Sequence, residues 1–228
     1  MSLILNIDTA TETAHVSIAK DGIVIRSYHN GSQKDHASFL QPALQQLAKD
    51  TAVSLKDINA IAVTAGPGSY TGLRVGMASA KGLCYALNKP LILLNTLEVL
   101  TASAMRQLRG QQISNSVLLC PMIDARRMEV FTAVYDPELS VIVPPLALIL
   151  EEQSFKEQLK NTRVIFFGNG SPKWNILCKD PNASFETVTI QPEAMADLSG
   201  LFFSREQFSD LAYSEPFYLK EFQTVIKK

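Results

Sequence analysis

A glycine-rich turn is the clearest place in the sequence where an anion could bind. The turn, Gly66-Pro67-Gly68-Ser69-Tyr70-Thr71-Gly72, lies between a short apolar run and a predicted helix. Backbone N–H groups at the start of a helix favour phosphate. No Gly-Lys-Ser/Thr follows, so the turn is not a P-loop. Gly66, Gly68 and Ser69 are therefore candidate nucleotide-binding residues, and a ligand-free strand-to-helix turn is the alternative.

A second group of polar residues follows the first predicted strand. Asp8 comes directly after the apolar run of residues 3–7, and Thr9 and Thr11 come next. Their carboxylate and hydroxyl oxygens are candidate ligands for phosphate or Mg²⁺. The alternative is that they satisfy the backbone of the turn.

The helix after the glycine-rich turn carries small residues at every fourth position. Gly72, Gly76 and Ala80 form one stripe. Glycine inside a helix costs roughly 0.5–1 kcal/mol relative to alanine, and close packing against another element would offset that cost. We predict that the stripe faces a partner, so that Gly76→Leu leaves the monomer folded but abolishes the complex. Tight packing within the same domain is the alternative.

Two adjacent arginines follow another strand-ending aspartate, in Asp124-Ala125-Arg126-Arg127-Met128-Glu129. The two guanidinium groups could pair with Asp124 and Glu129, meet an acidic partner surface, or contact phosphate. Solvated surface charge is the remaining alternative.

The sequence shows none of the residue patterns by which a self-sufficient hydrolase is usually recognised. His15, His29 and His36 form no His-x-x-x-His pair. No Gly-x-Ser-x-Gly elbow occurs, and the three cysteines have no nucleophile context. We therefore predict no catalytic residue, no metal site and no cofactor that this chain itself requires.

Two similar series of predicted elements position these residues. In the first, strands cover residues 3–7, 14–19 and 23–25, and a helix around 38–49 contains Pro42. The series ends with a strand at 60–64, a helix at 71–87, a strand at 91–94 and a helix capped by Thr96. In the second, strands at 117–123 and 128–135 lead to a helix at 152–160 and a strand at 164–167.

The repeat predicts an α/β protein of two βββαβα halves, residues 1–110 and 111–228, whose tail can pack back on the first half. This is the duplicated RNase H-like arrangement of the ASKHA fold, the fold of actin, hexokinase and Hsp70-type ATPases. In such ATPases, residues placed like Asp8, Thr9 and Thr11 approach phosphate and Mg²⁺.

Composition restricts the class of protein further. The 228 residues carry 21 Lys and Arg against 22 Asp and Glu, a net charge of −1, which argues against autonomous binding of duplex nucleic acid. Hydrophobic residues make up 46%, but no apolar segment reaches the ~20 residues of a membrane span. The sparse, unpaired cysteines are typical of a reducing compartment. We expect a cytoplasmic protein with no membrane contact.

Several of these segments together resemble the TsaB (YeaZ) family, the non-catalytic subunit of the bacterial machinery that makes threonylcarbamoyladenosine in tRNA. The matching segments are residues 7–11, 66–76, 80–83, 124–131 and 216–219. The catalytic partner in that machinery, TsaD, carries paired histidines on a helix. His36-Ala37-Ser38-Phe39-Leu40 keeps one histidine and lacks the second.

The resemblance implies a subunit that binds TsaD and activates it to form N6-threonylcarbamoyladenosine next to the anticodon of tRNAs reading codons that start with A. It implies work with the TsaE ATPase, a homodimer when TsaD is absent, and tRNA contact only through the complex. ATP or ADP at the TsaD interface is an open option. The alternative is an independent ATPase or glycoprotease-like hydrolase, and a nucleotide-binding regulator is a third hypothesis.

The resemblance also implies that the subunit meets a second copy of itself, and TsaD, through its first two helices. The interface residues predicted on these helices and at their ends are His36, Leu40, Leu44, Leu47, Gly72, Leu73, Arg74, Gly76, Ala80 and Leu83.

Overall fold

The computed structural model describes residues 1–32, 35–109 and 117–220. The first half begins with three strands and continues with helices and strands in alternation. In order, its elements are β1 (Leu3–Asp8), β2 (Ala14–Lys20), β3 (Ile23–Asn30), α1 (His36–Thr51), β4 (Ala60–Gly66), α2 (Tyr70–Leu87), β5 (Leu91–Asn95) and α3 (Thr96–Gln107), with a short 3₁₀ turn at Leu55–Asp57.

The second half repeats the same order of strands and α-helices. Its elements are β6 (Val117–Asp124), β7 (Glu129–Tyr135), β8 (Val141–Ile149), α4 (Lys156–Leu159), β9 (Arg163–Phe167), α5 (Ser171–Leu177), β10 (Ala183–Glu186) and α6 (Pro192–Ser204). The sheet orders match as well, β3-β2-β1-β4-β5 and β8-β7-β6-β9-β10. The duplicated ASKHA-type fold is therefore confirmed, and each half ends with one more strand and helix than the βββαβα unit.

Helices cover both faces of both sheets. α1 and α2 pack on the outer face of the first sheet, around a core that includes Leu5, Val16 and Ile61. The outer core of the second sheet is built around Phe166 and Trp174. Between the sheets, α3 packs on β6 while α6 packs on the first sheet, and the two helices contact each other. Each half thus contributes a helix to the other half's sheet, and the predicted boundary at residues 110 and 111 lies outside the described residues.

Two predicted helix boundaries are wrong for local reasons. The predicted helix at 152–160 shrinks to α4, because Phe155 has a left-handed φ of 62° that no helix can continue through. Asn95, not Thr96, caps α3: its side chain accepts a hydrogen bond from the N–H of Leu97 at 2.9 Å. By contrast, α1 runs through Pro42, which faces solvent.

The tail after α6 lies along the first half. The N–H of Ser209 donates to the carbonyl of Leu91 at 2.9 Å, and the N–H of Phe217 donates to that of Ala65 at 2.6 Å. Lys81 on α2 donates to the carbonyl oxygens of Ala212 and Ser214. Among the helices of the described residues, none has the length and apolarity needed to cross a bilayer.

Candidate functional site

The small residues of α2 pack against the loop between β1 and β2. Thr9 donates from its hydroxyl to the carbonyl of Gly72 at 2.7 Å. A Cβ at Gly72 would clash with the carbonyl oxygen of Thr9, and one at Gly76 with the Thr9 hydroxyl. The stripe of Gly72, Gly76 and Ala80 is buried inside this chain. The prediction that it faces a partner is therefore wrong, and the alternative of packing within the domain holds.

The glycine-rich turn is closed by the chain's own backbone. The N–H of Ser69 donates to the carbonyl of Ala10 at 2.7 Å, and a Cβ at Gly68 would clash with that same oxygen. Gly66, with φ of 120°, lies against the carbonyl of Phe217. Because these carbonyl oxygens present partial negative charge, the turn does not form the open anion cradle predicted at Gly66, Gly68 and Ser69. Ser69 instead caps α2, accepting from the N–H of Gly72 at 3.3 Å.

Asp8 is buried and serves local structure. One carboxylate oxygen accepts from the Thr64 hydroxyl at 2.7 Å and from the N–H of Ala10 at 3.0 Å. The other oxygen has no hydrogen-bond partner among the described residues. With Thr9 held by Gly72, Thr11 is the one residue of the predicted Asp8, Thr9 and Thr11 group that reaches the cleft between the halves.

That cleft is small and lacks a cation. Its volume is about 60 Å³, whereas small-molecule sites typically measure roughly 300–1,000 Å³. The described residues that line it include Thr11, Glu12, His15 and Asn169, with no Lys or Arg among them. In this conformation the cleft has neither the room nor the charge for a nucleotide phosphate chain.

The histidines and cysteines are also engaged in the fold. His36 is buried, with its Nε2 3.2 Å from the carbonyl oxygen of Glu12, so it anchors the β1–β2 loop and is not part of an exposed interface as predicted. Burial lowers the pKa of His15, and it raises the pKa of Cys84 and of Cys120 to about 12. Within residues 1–32, 35–109 and 117–220, no cluster of three or more His, Cys, Asp or Glu is placed to hold a metal ion.

The outward side of α1 and α2 is formed by different residues from those predicted. Leu40, Leu44, Leu47 and Leu73 are buried in the core, while Arg74 is exposed and Leu83 half-buried. We call the outward side the outer face; it consists of Ala37, Gln41, Gln45, Thr71, Val75, Ala78, Gly82 and Tyr85, all exposed except the half-buried Val75. Sequence reasoning missed it because α2 carries small residues on two sides.

The outer face is small-featured and uncharged. Beyond its two chain neighbours and the backbone of its own helix, no described atom lies within 4 Å of the point that a Cβ of Gly82 would occupy, and Tyr85 is 84% exposed. Gln41 on α1 donates to the hydroxyl of Ser79 on α2 at 3.1 Å, which joins the two helices side by side. Interface cores are depleted in charged residues, so this surface is the best candidate in the described chain for docking another protein.

The arginine pair lies in the turn between β6 and β7, and among the described residues its guanidinium groups form no ion pair with the nearby carboxylates. Asp124 forms an ion pair with Lys173 at 2.9 Å, and Glu129 forms one with Lys220 at 2.5 Å. Arg126 and Arg127 both have left-handed φ, 69° and 48°, and both are exposed. Pairing with Asp124 and Glu129, one of the predicted alternatives, is therefore wrong.

A model of the family described as "TsaD: tRNA N6-adenosine threonylcarbamoyltransferase" matches residues 29–214. The TsaB protein of Bacillus subtilis is 32% identical over 73% of this chain and 70% of its own length. The TsaB protein of Escherichia coli is 28% identical over 95% of this chain and 94% of its own. The chain belongs to the TsaB (YeaZ) family. By contrast, the match to the tRNA N6-adenosine threonylcarbamoyltransferase of Sphingopyxis alaskensis, at 34% identity, covers 43% of this chain and 33% of that protein.

The fold agrees with that assignment. A crystal structure from Pseudomonas aeruginosa, described as a protein with similarity to peptidase YEAZ, superposes with a TM-score of 0.82 at 26% identity. The match covers 96% of this chain and 100% of the other. The TsaB resemblance of the sequence segments is thus confirmed over nearly the whole chain.

Proposed function

We propose that this chain is a non-catalytic subunit in the biosynthesis of tRNA threonylcarbamoyladenosine, where it binds TsaD and activates it. Membership of the TsaB family supports the role in this biosynthesis. The observation that carries the finer proposal is the outer face, an uncharged surface of small residues on two helices. Since tRNA is modified in the cytoplasm, the proposal includes a cytoplasmic location.

Similarity to both TsaB and TsaD supports pairing through equivalent surfaces. The TsaD family model spans α1 and α2 of this chain, so the partner is expected to have a helix pair in the corresponding place. Two related proteins can then associate face to face across an approximate two-fold axis, and two copies of this chain can do the same when TsaD is absent. The homodimer and the heterodimer would compete for one surface.

The state of the candidate catalytic groups supports an accessory role over the alternative of an independent hydrolase. Asp8, Thr9 and His36 hold the β1–β2 loop in place. A raised thiol pKa disfavours the thiolate that acts as a nucleophile, as at Cys84 and Cys120. ATP or ADP at the TsaD interface and a contact with TsaE stay predictions from the family resemblance.

Gly82→Arg tests the proposal directly. Gly82 faces open space, so the free chain can accommodate a long charged side chain there. In the complex, that charge would be buried with no opposite charge to pair with it. We expect the variant to fold like the wild type and to lose TsaD in a pull-down. Ile176→Arg is the control, because Ile176 is an exposed apolar residue on α5 in the other half, and we expect it to retain TsaD. Unchanged TsaD binding by Gly82→Arg would refute the proposed interface.

A further inference from the structure

A basic surface with aromatic rings crosses the boundary between the two halves. The first half contributes Arg74 from the start of α2, and the second half contributes Arg126 and Arg127 from the β6–β7 turn. The tail joins them, because Tyr218 accepts a hydrogen bond from Arg74 at 3.2 Å and Lys220 pairs with Glu129 at 2.5 Å. We call this the basic–aromatic surface.

The arginine pair has an excess of positive charge that the chain does not neutralise. Lys173 and Lys220 already bind the carboxylates of Asp124 and Glu129. For Arg126 and Arg127, in contrast, no ion pair occurs among the described residues. Arg74 adds a further cation, and the tail before Tyr218 carries the exposed carboxylate of Glu215. On a chain with a net charge of −1, such a local excess points to an anionic ligand.

The backbone of the β6–β7 turn is held in a defined conformation. Left-handed φ angles at two adjacent non-glycine residues are uncommon. The turn is held by the N–H of Arg126, which donates to Asp124 at 2.5 Å, and by the N–H of Glu129, which donates to the carbonyl of Arg126 at 3.1 Å. Lys173 pairs with Asp124 and also donates to the carbonyl of Glu129 at 3.1 Å. The arginine side chains on this turn are exposed, and the planar guanidinium loses less entropy per hydrogen bond to a phosphate oxygen than a lysine ammonium does.

Aromatic rings beside Arg74 favour nucleic acid over an acidic protein. Tyr218 is 39% exposed and Phe217 45% exposed. The guanidinium of Arg74 lies 4.1 Å from the ring centroid of Tyr70, and the Tyr70 and Tyr218 rings are 5.2 Å apart. Guanidinium planes and aromatic rings are the groups on which unpaired RNA bases stack, whereas an acidic protein surface would need only the charges.

We propose that the basic–aromatic surface binds the phosphate backbone of RNA, with Arg126 and Arg127 as its phosphate contacts. The identity of the RNA rests on the proposed function, which makes it the tRNA that is to be modified. The affinity of this chain without its partner is low, because few cations contribute. The surface therefore adds a second contact for an RNA that the complex already holds. The family resemblance implies that tRNA is bound only through the complex, and a low affinity of the free chain for RNA would have the same effect.

The test is a salt series with a fluorescently labelled, unmodified anticodon stem-loop RNA and the full chain, followed by anisotropy. Arg126→Gln with Arg127→Gln should bind roughly tenfold more weakly at low salt. Its log–log salt slope should be shallower by roughly 1.4–1.8, since each phosphate contact contributes ~0.7–0.9. Arg126→Lys with Arg127→Lys should keep the slope. Lys156→Gln with Lys160→Gln removes two exposed charges at α4 and should change neither quantity.

Three results would overturn the inference: no RNA binding by the wild type at low salt, an unchanged slope in the glutamine variant, or equal binding of a polyglutamate peptide. A fourth would be a TsaD pull-down that fails with the glutamine variant while its RNA binding is unchanged, because the arginines would then be a protein contact. If Gly82→Arg keeps TsaD, the proposed docking interface fails, and the salt slope still decides the RNA inference.

Discussion

At the residue scale, two glycines six positions apart on α2 have opposite surroundings. Gly76 lies under Thr9, whose hydroxyl is held by the carbonyl of Gly72. Gly82 faces open space. The cost of interior glycine in a helix is therefore offset by close packing at Gly76, whereas at Gly82 nothing within the described part of this chain offsets it. A partner packed closely on the outer face would offset this cost, so a docking site explains why Gly82 has no close contact in the free subunit.

Alanine at each glycine should change stability in opposite directions. Gly76→Ala places a methyl group against the buried Thr9 side chain, and overpacking of this kind typically costs ~1–3 kcal/mol. Gly82→Ala should instead stabilise the chain by ~0.5–1 kcal/mol, the difference in helix propensity. Urea unfolding of the two variants measures both effects, and changes of the same sign would contradict the assigned packing. Gly76→Leu would for the same reason report lost folding rather than a lost partner.

His15 makes stability depend on pH. It faces Asp8 in the β1–β2 pair, and its ring centroid lies 5.9 Å from that of His29. Burial lowers its pKa below 6.5; nearby His29 and His36 also lower it, while Asp8 and Glu193 oppose the shift. A folded-state pKa below the unfolded value means that the unfolded chain binds more protons, so stability should fall as pH drops below ~6.5.

Replacing His15 by Gln should remove part of that pH dependence. Glutamine keeps polar atoms at the position but does not titrate, so the free energy of unfolding should decline less below pH ~6.5 than in the wild type. Urea unfolding of both proteins above and below this pH provides the comparison. An identical decline in the two proteins would show that other groups cause it.

At the element scale, strands and long helices followed from the sequence because each carries its own periodic pattern. The runs at residues 3–7 and 117–123 became β1 and β6 within one or two residues. The elements that were predicted wrongly or missed lack such a pattern or depend on contacts with residues distant in the sequence. Phe155 takes a backbone conformation that ends the predicted 152–160 helix early. The sequence patterns predicted no element over α6, which packs on the first sheet and on α3.

The candidate site was harder to predict than the fold. The residues with the most distinctive spacing, Gly68 and Gly72, are glycines because the β1–β2 loop lies against them. That loop comes from a segment some sixty positions earlier, so its contact is invisible to local patterns. For the same reason the sequence indicated a small-residue surface on α2 but gave the wrong side of the helix.

Ser69 provides a test of how α2 begins. Its hydroxyl accepts from the N–H of Gly72 at 3.3 Å, and loss of an N-cap acceptor typically costs ~1 kcal/mol. Ser69→Ala should lower the free energy of unfolding by about that amount, while Ser69→Asp, which retains an acceptor, should restore most of it. If Ser69→Ala leaves the free energy of unfolding unchanged and Ser69→Asp raises it, the Ser69 hydroxyl does not cap α2 in solution and the turn is open to anions.

At the scale of the whole molecule, the two halves form one layered body. α3 and α6 lie between the sheets, and the tail from residue 209 to 218 closes over the first half. The tail connects three features: Phe217 covers the glycine turn, Tyr218 accepts a hydrogen bond from Arg74, and Lys220 pairs with Glu129 beside the two arginines. The outer face extends along the same helix. A partner on α1 and α2 and an RNA on the basic–aromatic surface could therefore be held side by side.

The central claim, a subunit without catalytic activity of its own that works through the outer face, is tested most directly by reconstitution. The measurement is formation of N6-threonylcarbamoyladenosine on unmodified tRNA, with TsaD and the other components supplied. We predict product with the wild-type chain and with Ile176→Arg, none with this chain in place of TsaD, and little with Gly82→Arg. Product made by the chain without TsaD, or full activity with Gly82→Arg, would contradict the account.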